Sequence, residues 1–230
     1  MIHAVLTIDD VSSENTPEIV DYLKGQGIRA VLFATGENVA KHYEEAKYAV
    51  KSGMIVGNHS DSHPRFSTIT LKECVQEIEA CERMLDQLYR DCGMARTYRP
   101  FRFPYGDKGG ANKDGIQQYL RENGFDKLDD TRIPYPWWTE CGLSADIDTF
   151  WTFDFEEYLI RPGSGFTRES VWTKMHDLAP QQGAALLAGG RHILLLHAHD
   201  ETERMLPGYY RLFIDHLLEQ GVAFDEPAFL

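Results

Sequence analysis

The sequence predicts an α/β fold built on parallel strands, either closed as a (β/α) barrel or open as a doubly wound sheet. Three observations carry this. Short apolar runs rich in β-branched residues alternate with amphipathic segments of helical period. Asp9, Asp10, His59, Tyr105, Asp154 and His197 all fall at the C-terminal ends of predicted strands, the edge where both architectures gather function. At 230 residues, with no repeat, low-complexity tract or linker, the chain reads as a single domain over residues 1–230.

The elements follow in order. "HAVLTI" is a strand, and "TPEIVDYLKGQG" a helix, with Thr16 as a cap, Pro17 at the first helical position and Ile19, Val20 and Leu23 on one face. "IRAVLFAT" and "GMIVGNHS" repeat the strand signal on either side of the helical "NVAKHYEEAKYAVKSG". Thr70 and Glu73 form a capping box, after which Leu71, Cys74, Val75, Ile78, Cys81, Leu85 and Leu88 trace the apolar stripe of a long helix. "TYRPFRFPYG" reads as a strand entering a turn, "NKDGIQQYLRENG" as a helix and "TFWTFDF" as a strand. "RESVWTKMHDLAPQQGAALL" reads as helical at least to Pro180, "RHILLLHAH" as a strand and "PGYYRLFIDHLLEQG" as the closing helix. "DDTRIPYPWWTECGLSADID" has the irregularity of an inserted loop, carrying Tyr135, Trp137 and Trp138.

Charge narrows the partners. With 23 basic against 36 acidic residues the formal charge is −13, a field that repels phosphate backbones and anionic lipid, so neither nucleic acid nor membrane is expected. No run of about 18 apolar residues occurs, and "MIHAVLTIDD" lacks a basic n-region. The expected location is the cytoplasm, or outside the cell if a precursor has been trimmed. Cys74 and Cys81, seven residues apart on one helix, are too distant to pair and read as buried thiols.

Four stretches carry chemistry. In "TIDD", neighbouring strand residues face opposite ways, so Asp9 and Asp10 serve one site only if the strand ends there and turns; two acids at such a place also serve as turn and capping residues. In "GNHSDSHP", Pro64 disfavours a helical His63, placing His59 and His63 on a tight turn. With one carboxylate from another strand end they complete an N,N,O set that leaves room for water, as a hydrolytic zinc site requires; without it they are solvated loop histidines. "RFPYG" ends a strand with Arg102, which can pair with a carboxylate, and a turn that frees the Tyr105 N–H to face a developing oxyanion. "LLLHAHD" sets His197 at the tip of an apolar strand, as a structural residue or as a proton donor to a leaving amine.

In this order "TIDD", "HSDSH", "RFPYG", "WTFDFEEY" and "LLLH" resemble the polysaccharide deacetylases, the NodB-homology or carbohydrate esterase family 4 group, over residues 7 to 197. The resemblance implies a distorted (β/α) barrel with one divalent metal, zinc or cobalt, that hydrolyses acetyl groups from N-acetylated sugars or from O-acetylated xylan. Carried over, Asp10, His59 and His63 bind the metal. Asp9 is the base that activates a metal-bound water, Arg102 orients Asp9, the metal and the Tyr105 N–H hold the oxyanion, and His197 protonates the leaving nitrogen. The fourth motif departs from the family's D-x-x-D-W: "DFEEY" offers Asp154, then Glu157 and Tyr158 in place of the second Asp and the Trp. The acid that tunes His197 is thus open between Asp154, the first choice, and Glu157. Trp137 and Trp138 either stack on sugar or cover the barrel. The rival readings are a small-molecule amide hydrolase of the same superfamily and a non-catalytic sugar-binding relative; retention of Asp9, the Asp-His-His set and His197 counts against both.

Overall fold

In the computed structural model, which describes all 230 residues, the chain winds around one long strand, β1 (Ile2–Val11). Its residues are buried on both faces, which is why it reads as a continuous apolar run. Along residues 2–9 one edge is taken by β5 (Gly190–His197). The other edge is shared between β6 (Val222–Phe224), on Ile2–Ala4, and β2 (Val31–Ala34), from Thr7 onward. β3 (Ile55–Asn58) pairs with β2 and β4 (Phe153–Asp154) with β5, all parallel.

Two short links close this sheet. Asn58 N donates to the Pro100 carbonyl at 2.9 Å and Arg102 N to the Asn58 carbonyl at 3.0 Å. From the other side Thr149 N donates to the Phe101 carbonyl at 2.8 Å, and Thr152 N to the Ile193 carbonyl at 2.9 Å. The circuit β1, β2, β3, residues 100–102, residues 149–154 and β5 returns to β1, and the fold is a distorted (β/α) barrel. Alternation along β1 puts Ala4, Leu6 and Ile8 outward, in a cluster of 36 buried residues shared with the helices, and Val5, Thr7 and Asp9 inward. Val5 joins Val31, Phe33, Ile55 and Ile193 in a separate interior cluster that also holds Trp138.

The helices are α1 (Thr16–Gly25), α2 (Gly36–Lys41), α3 (Tyr43–Lys51), α4 (Leu71–Asp91), α5 (Lys113–Glu122), α6 (Pro136–Glu140), α7 (Arg168–His176), α8 (Asp200–Met205) and α9 (Tyr209–Glu219). α4 carries the full capping box: Thr70 Oγ1 accepts from Glu73 N and Glu73 Oε2 from Thr70 N. The segment expected as one helix between β2 and β3 breaks at His42 into α2 and α3. α7 stops at His176, short of the expected Pro180, because a proline ring clashes with the carbonyl four residues before it. Residues 100–102 make only an isolated bridge and β4 only two residues, and the proline at each end of "PFRFP" withholds a ladder N–H. The inserted loop contains α6, and α8 and β6 had no clear sequence signal. No helix is long and apolar enough to cross a membrane.

Gly57 marks the tightest point of the closure. A Cβ there would lie 2.7 Å from both Cγ and the carbonyl oxygen of Pro100. Gly57→Ala is therefore expected to destabilise the fold by about 1–3 kcal/mol in denaturant unfolding; an unchanged midpoint would show that the 100–102 link yields freely.

Candidate active site

Alternation would send Asp10 outward, opposite to Asp9. The strand does not end as the sequence reading required; instead its register shifts between Ile8 and Val11, and Asp10 takes a φ of 60°. That bulge returns the Asp10 side chain to the pole where Asp9 already points. Asn38 Nδ2 holds the Asp10 carbonyl at 2.8 Å.

His59 follows β3 directly, its N–H donating to the Ala34 carbonyl at 2.9 Å. The chain then turns through left-handed Ser60 (φ 67°) and His63 (φ 60°), the tight turn expected before Pro64. Ser60 Oγ accepts the His63 N–H, and Glu77 of α4 accepts the N–H groups of Asp61 and Ser62. The turn brings the two imidazoles together, Nε2 to Nε2 at 3.2 Å, with Asp10 Oδ1 3.3 Å from His63 and 3.8 Å from His59. His59 Nδ1 lies 2.8 Å from the Arg102 carbonyl, which can only accept, so Nδ1 carries the proton and Nε2 turns its lone pair to the cluster. Burial, with the neighbouring His59, pushes the His63 pKa down to about 4. Burial would raise that of Asp10, but the His199 hydrogen bond and the surrounding imidazoles outweigh it and hold Asp10 well below the usual carboxylate range. Imidazole nitrogens with free lone pairs beside a carboxylate are the donor set and protonation states that a borderline divalent cation takes.

Arg102 is fully buried beneath this cluster. Its Nη1 donates to Asp9 Oδ1 and to Thr7 Oγ1, both at 2.7 Å, and its Nε to the Thr149 carbonyl at 3.1 Å. The other Asp9 oxygen stays free of Arg102 and lies 3.5 Å from His59 Nε2. Tyr105, with φ 58° and ψ 10°, sits on the turn after Arg102 and its N–H donates to no protein acceptor. The Tyr105 ring covers His63, centroids 4.4 Å apart, beneath the Arg65 guanidinium.

Across the pocket, Glu157 and not Asp154 bonds to His197. Glu157 Oε1 accepts the His197 N–H at 2.6 Å and lies 3.2 Å from its Nδ1. Asp154 Oδ1 instead accepts the Glu156 N–H at 2.8 Å, capping the turn that delivers Glu157. Burial lowers the His197 pKa, yet the Glu157 carboxylate more than reverses this and holds it at about 10. Burial raises Asp154 to about 6 against the pull of His197. Tyr158, in place of the motif's tryptophan, packs edge-on against His197 with centroids 4.6 Å apart.

A family model described as polysaccharide deacetylase matches residues 2–128, more than half of the chain. The chain belongs to the polysaccharide deacetylase family. Within it, 44% of this chain is 35% identical to a peptidoglycan-N-acetylglucosamine deacetylase of Bacillus cereus, and 44% is 31% identical to a chitin deacetylase of Cryptococcus neoformans var. grubii. These matches span 36% and 21% of the two relatives' own lengths. The fold is shared with the crystal structure of a peptidoglycan N-acetylglucosamine deacetylase (TM-score 0.66, 21% identity, 97% of this chain and 85% of that one). It is shared also with a pseudoenzyme of carbohydrate esterase family 4 from Bacillus anthracis (TM-score 0.63, 21% identity, 96% and 63%).

In this polysaccharide deacetylase-family chain the site opens as a pocket of about 130 Å³ between the donor cluster and His197. A larger cavity of about 410 Å³ adjoins it, sharing Trp151, Asp154 and Tyr158 as walls. The two tryptophans of the insertion divide: Trp138 is buried, its Nε1 donating to Asp130 Oδ2 at 2.7 Å, whereas Trp137 lines the larger cavity. The sequence reading passed over two residues at this pole, Trp151 and His199. The signal for His199 was the alternation in "HAH", which points His197 and His199 the same way.

Because the folded His197 pKa lies above the unfolded 6.5, the Glu157 pair adds stability that is complete below about pH 6.5 and is lost as the pH rises through about 10. In an NMR titration the wild-type His197 ring should stay protonated between those limits. In Glu157→Gln, which leaves only the weaker pull of Asp154 and Asp10 against burial, it should lose its proton at a clearly lower pH, and an unchanged titration would show that Glu157 does not set the charge.

Proposed function

We propose that the chain is a metal-dependent hydrolase that removes acetyl groups from N-acetylated carbohydrate. The observation that carries the reading is the convergence on one small pocket of an N,N,O donor set (Asp10, His59, His63), a carboxylate held by a buried arginine (Asp9) and a histidine kept charged by a buried glutamate (His197). A pseudoenzyme shares the fold, so these residues rather than the barrel support activity.

Asp10, His59 and His63 would hold the ion, with His59 presented in the right tautomer by the Arg102 carbonyl. When bound, a divalent ion such as zinc or cobalt supplies Lewis acidity, lowering the pKa of water and polarising a carbonyl. Asp9, fixed through Oδ1 by Arg102, takes the proton of the attacking water on Oδ2. The unpaired Tyr105 N–H donates to the carbonyl oxygen as it gains charge. His197, charged at neutral pH and oriented by Glu157, gives its proton to the leaving nitrogen. That charge favours amide over ester substrates, since an amide nitrogen cannot leave without a proton. Trp137, Trp151 and Tyr158 offer aromatic faces in the adjoining cavity for the sugar that carries the acetyl group. The peptidoglycan and chitin deacetylases among the relatives support an acetylated polysaccharide or oligosaccharide as the substrate.

Chelated protein should release no acetate from N-acetylglucosamine oligomers and should regain activity with zinc or cobalt, with acetylated xylan as the ester comparison. Stoichiometric metal without acetate from either would move the reaction to other amides. Asp9→Asn should keep its metal and lose turnover by about 10²-fold or more, whereas Asp10→Asn should lose metal. Metal loss in Asp9→Asn, with Asp10→Asn still loaded, would reverse the two roles.

A further inference from the structure

The two carboxylate oxygens of Asp10 have different neighbours. Oδ1 faces the imidazole nitrogens of His59 and His63, while Oδ2 lies 2.7 Å from Nε2 of His199, which is no part of that donor set. The proton in this contact can be placed. Arg161 Nη2 approaches His199 Nδ1 at 3.4 Å, and a guanidinium only donates, so Nδ1 accepts and Nε2 carries the hydrogen that Oδ2 receives.

Both members of this relay are anchored. Arg161 Nη1 donates to the Ile160 carbonyl and to Thr202 Oγ1, each at 2.9 Å, and its Nε pairs with Glu201 Oε2 at 3.0 Å. His199 stands where β5 passes into α8, with its ring 5.3 Å from that of His197. Two histidines from one strand end are thus oriented by different partners, His197 by Glu157 and His199 by Arg161.

We propose that His199, oriented by Arg161, is a positioning residue that occupies one oxygen of Asp10 and so limits that carboxylate to a single ligand oxygen. This rests on the metal reading given above. A free carboxylate can bind a cation through one oxygen or both. With Oδ2 engaged by a charge-assisted hydrogen bond, Asp10 keeps one donor aimed at the cluster, and the position that its second oxygen would take stays open for water or substrate. Outer partners of this kind orient a ligand and commonly contribute tenfold to hundredfold in metal affinity.

The test uses chelated full-length protein titrated with Co²⁺ or Zn²⁺ alone, reading the dissociation constant by competition with a chromophoric chelator and the visible spectrum of the Co²⁺ form. His199→Ala should bind about 10-fold to 100-fold more weakly, with a weaker visible band as Asp10 becomes bidentate and the coordination number rises. His199→Gln, whose amide N–H can donate to Oδ2, should restore most of both. Unchanged affinity and spectrum in His199→Ala overturn the proposal. So does a His199→Gln protein as impaired as the alanine variant, since the ring would then act as a ligand or through packing. Wild type that takes up no stoichiometric Co²⁺ would remove the metal reading and this inference with it; loaded wild type with an unaffected alanine variant removes this inference alone.

Discussion

A buried guanidinium with one carboxylate partner organises the interior of this barrel. Arg102 has no access to water, and its charge is met by Asp9, by the Thr7 hydroxyl and Thr149 carbonyl, and by the faces of Phe33 and Trp151 at 4.4 and 5.6 Å. Truncating either member of such a pair commonly costs about 3–5 kcal/mol, because the other charge is left buried and alone. The main chain of the same residue does two further things. Its N–H joins the 100–102 link to β3, and its carbonyl fixes the proton of His59. Closure of the barrel, orientation of the candidate base and preparation of one candidate ligand therefore depend on a single position.

Around that position the electrostatics divide into two halves. On one side desolvation and mutual repulsion keep His63 neutral beside an ionised Asp10. On the other a wholly buried glutamate keeps His197 charged. One residue type is pushed in opposite directions within a single pocket, which is how a site assigns a ligand role and an acid role to imidazoles of the same intrinsic basicity. Asp154, raised to about 6, stands between this pair and the larger cavity.

Much of the arrangement was legible because it is local. The alternation of strand and helix gave the parallel architecture, the capping box gave the start of α4, and polar residues after apolar runs gave the pole where the site lies. What escaped depends on backbone irregularity or distant partners. The bulge that turns Asp10 beside Asp9 has no period to betray it, and residues 97–106 and 149–155, both expected as strands, close the barrel through far shorter pairings than their sequence suggests. The choice of Glu157 over Asp154 turns on which acid is spent capping a turn, and the parting of Trp137 from Trp138 on a bond to Asp130. His199 was in plain view beside His197, but its partner Asp10 is 189 residues away.

All five non-glycine residues with positive φ, namely Asp10, Ser60, His63, Tyr105 and Glu156, lie in the site or in the turns that deliver its side chains. Aspartate and histidine tolerate that conformation better than most, whereas Tyr105 and Glu156 hold it at a cost on the order of 1 kcal/mol each. The pole that carries the candidate site is thus where the chain conflicts most with its own local preferences, and the barrel must supply the surplus that keeps it in place. Glycine or asparagine at Tyr105 or Glu156 would relieve that backbone strain. Strain at the candidate site and stability of the barrel are thus set against each other at the same positions.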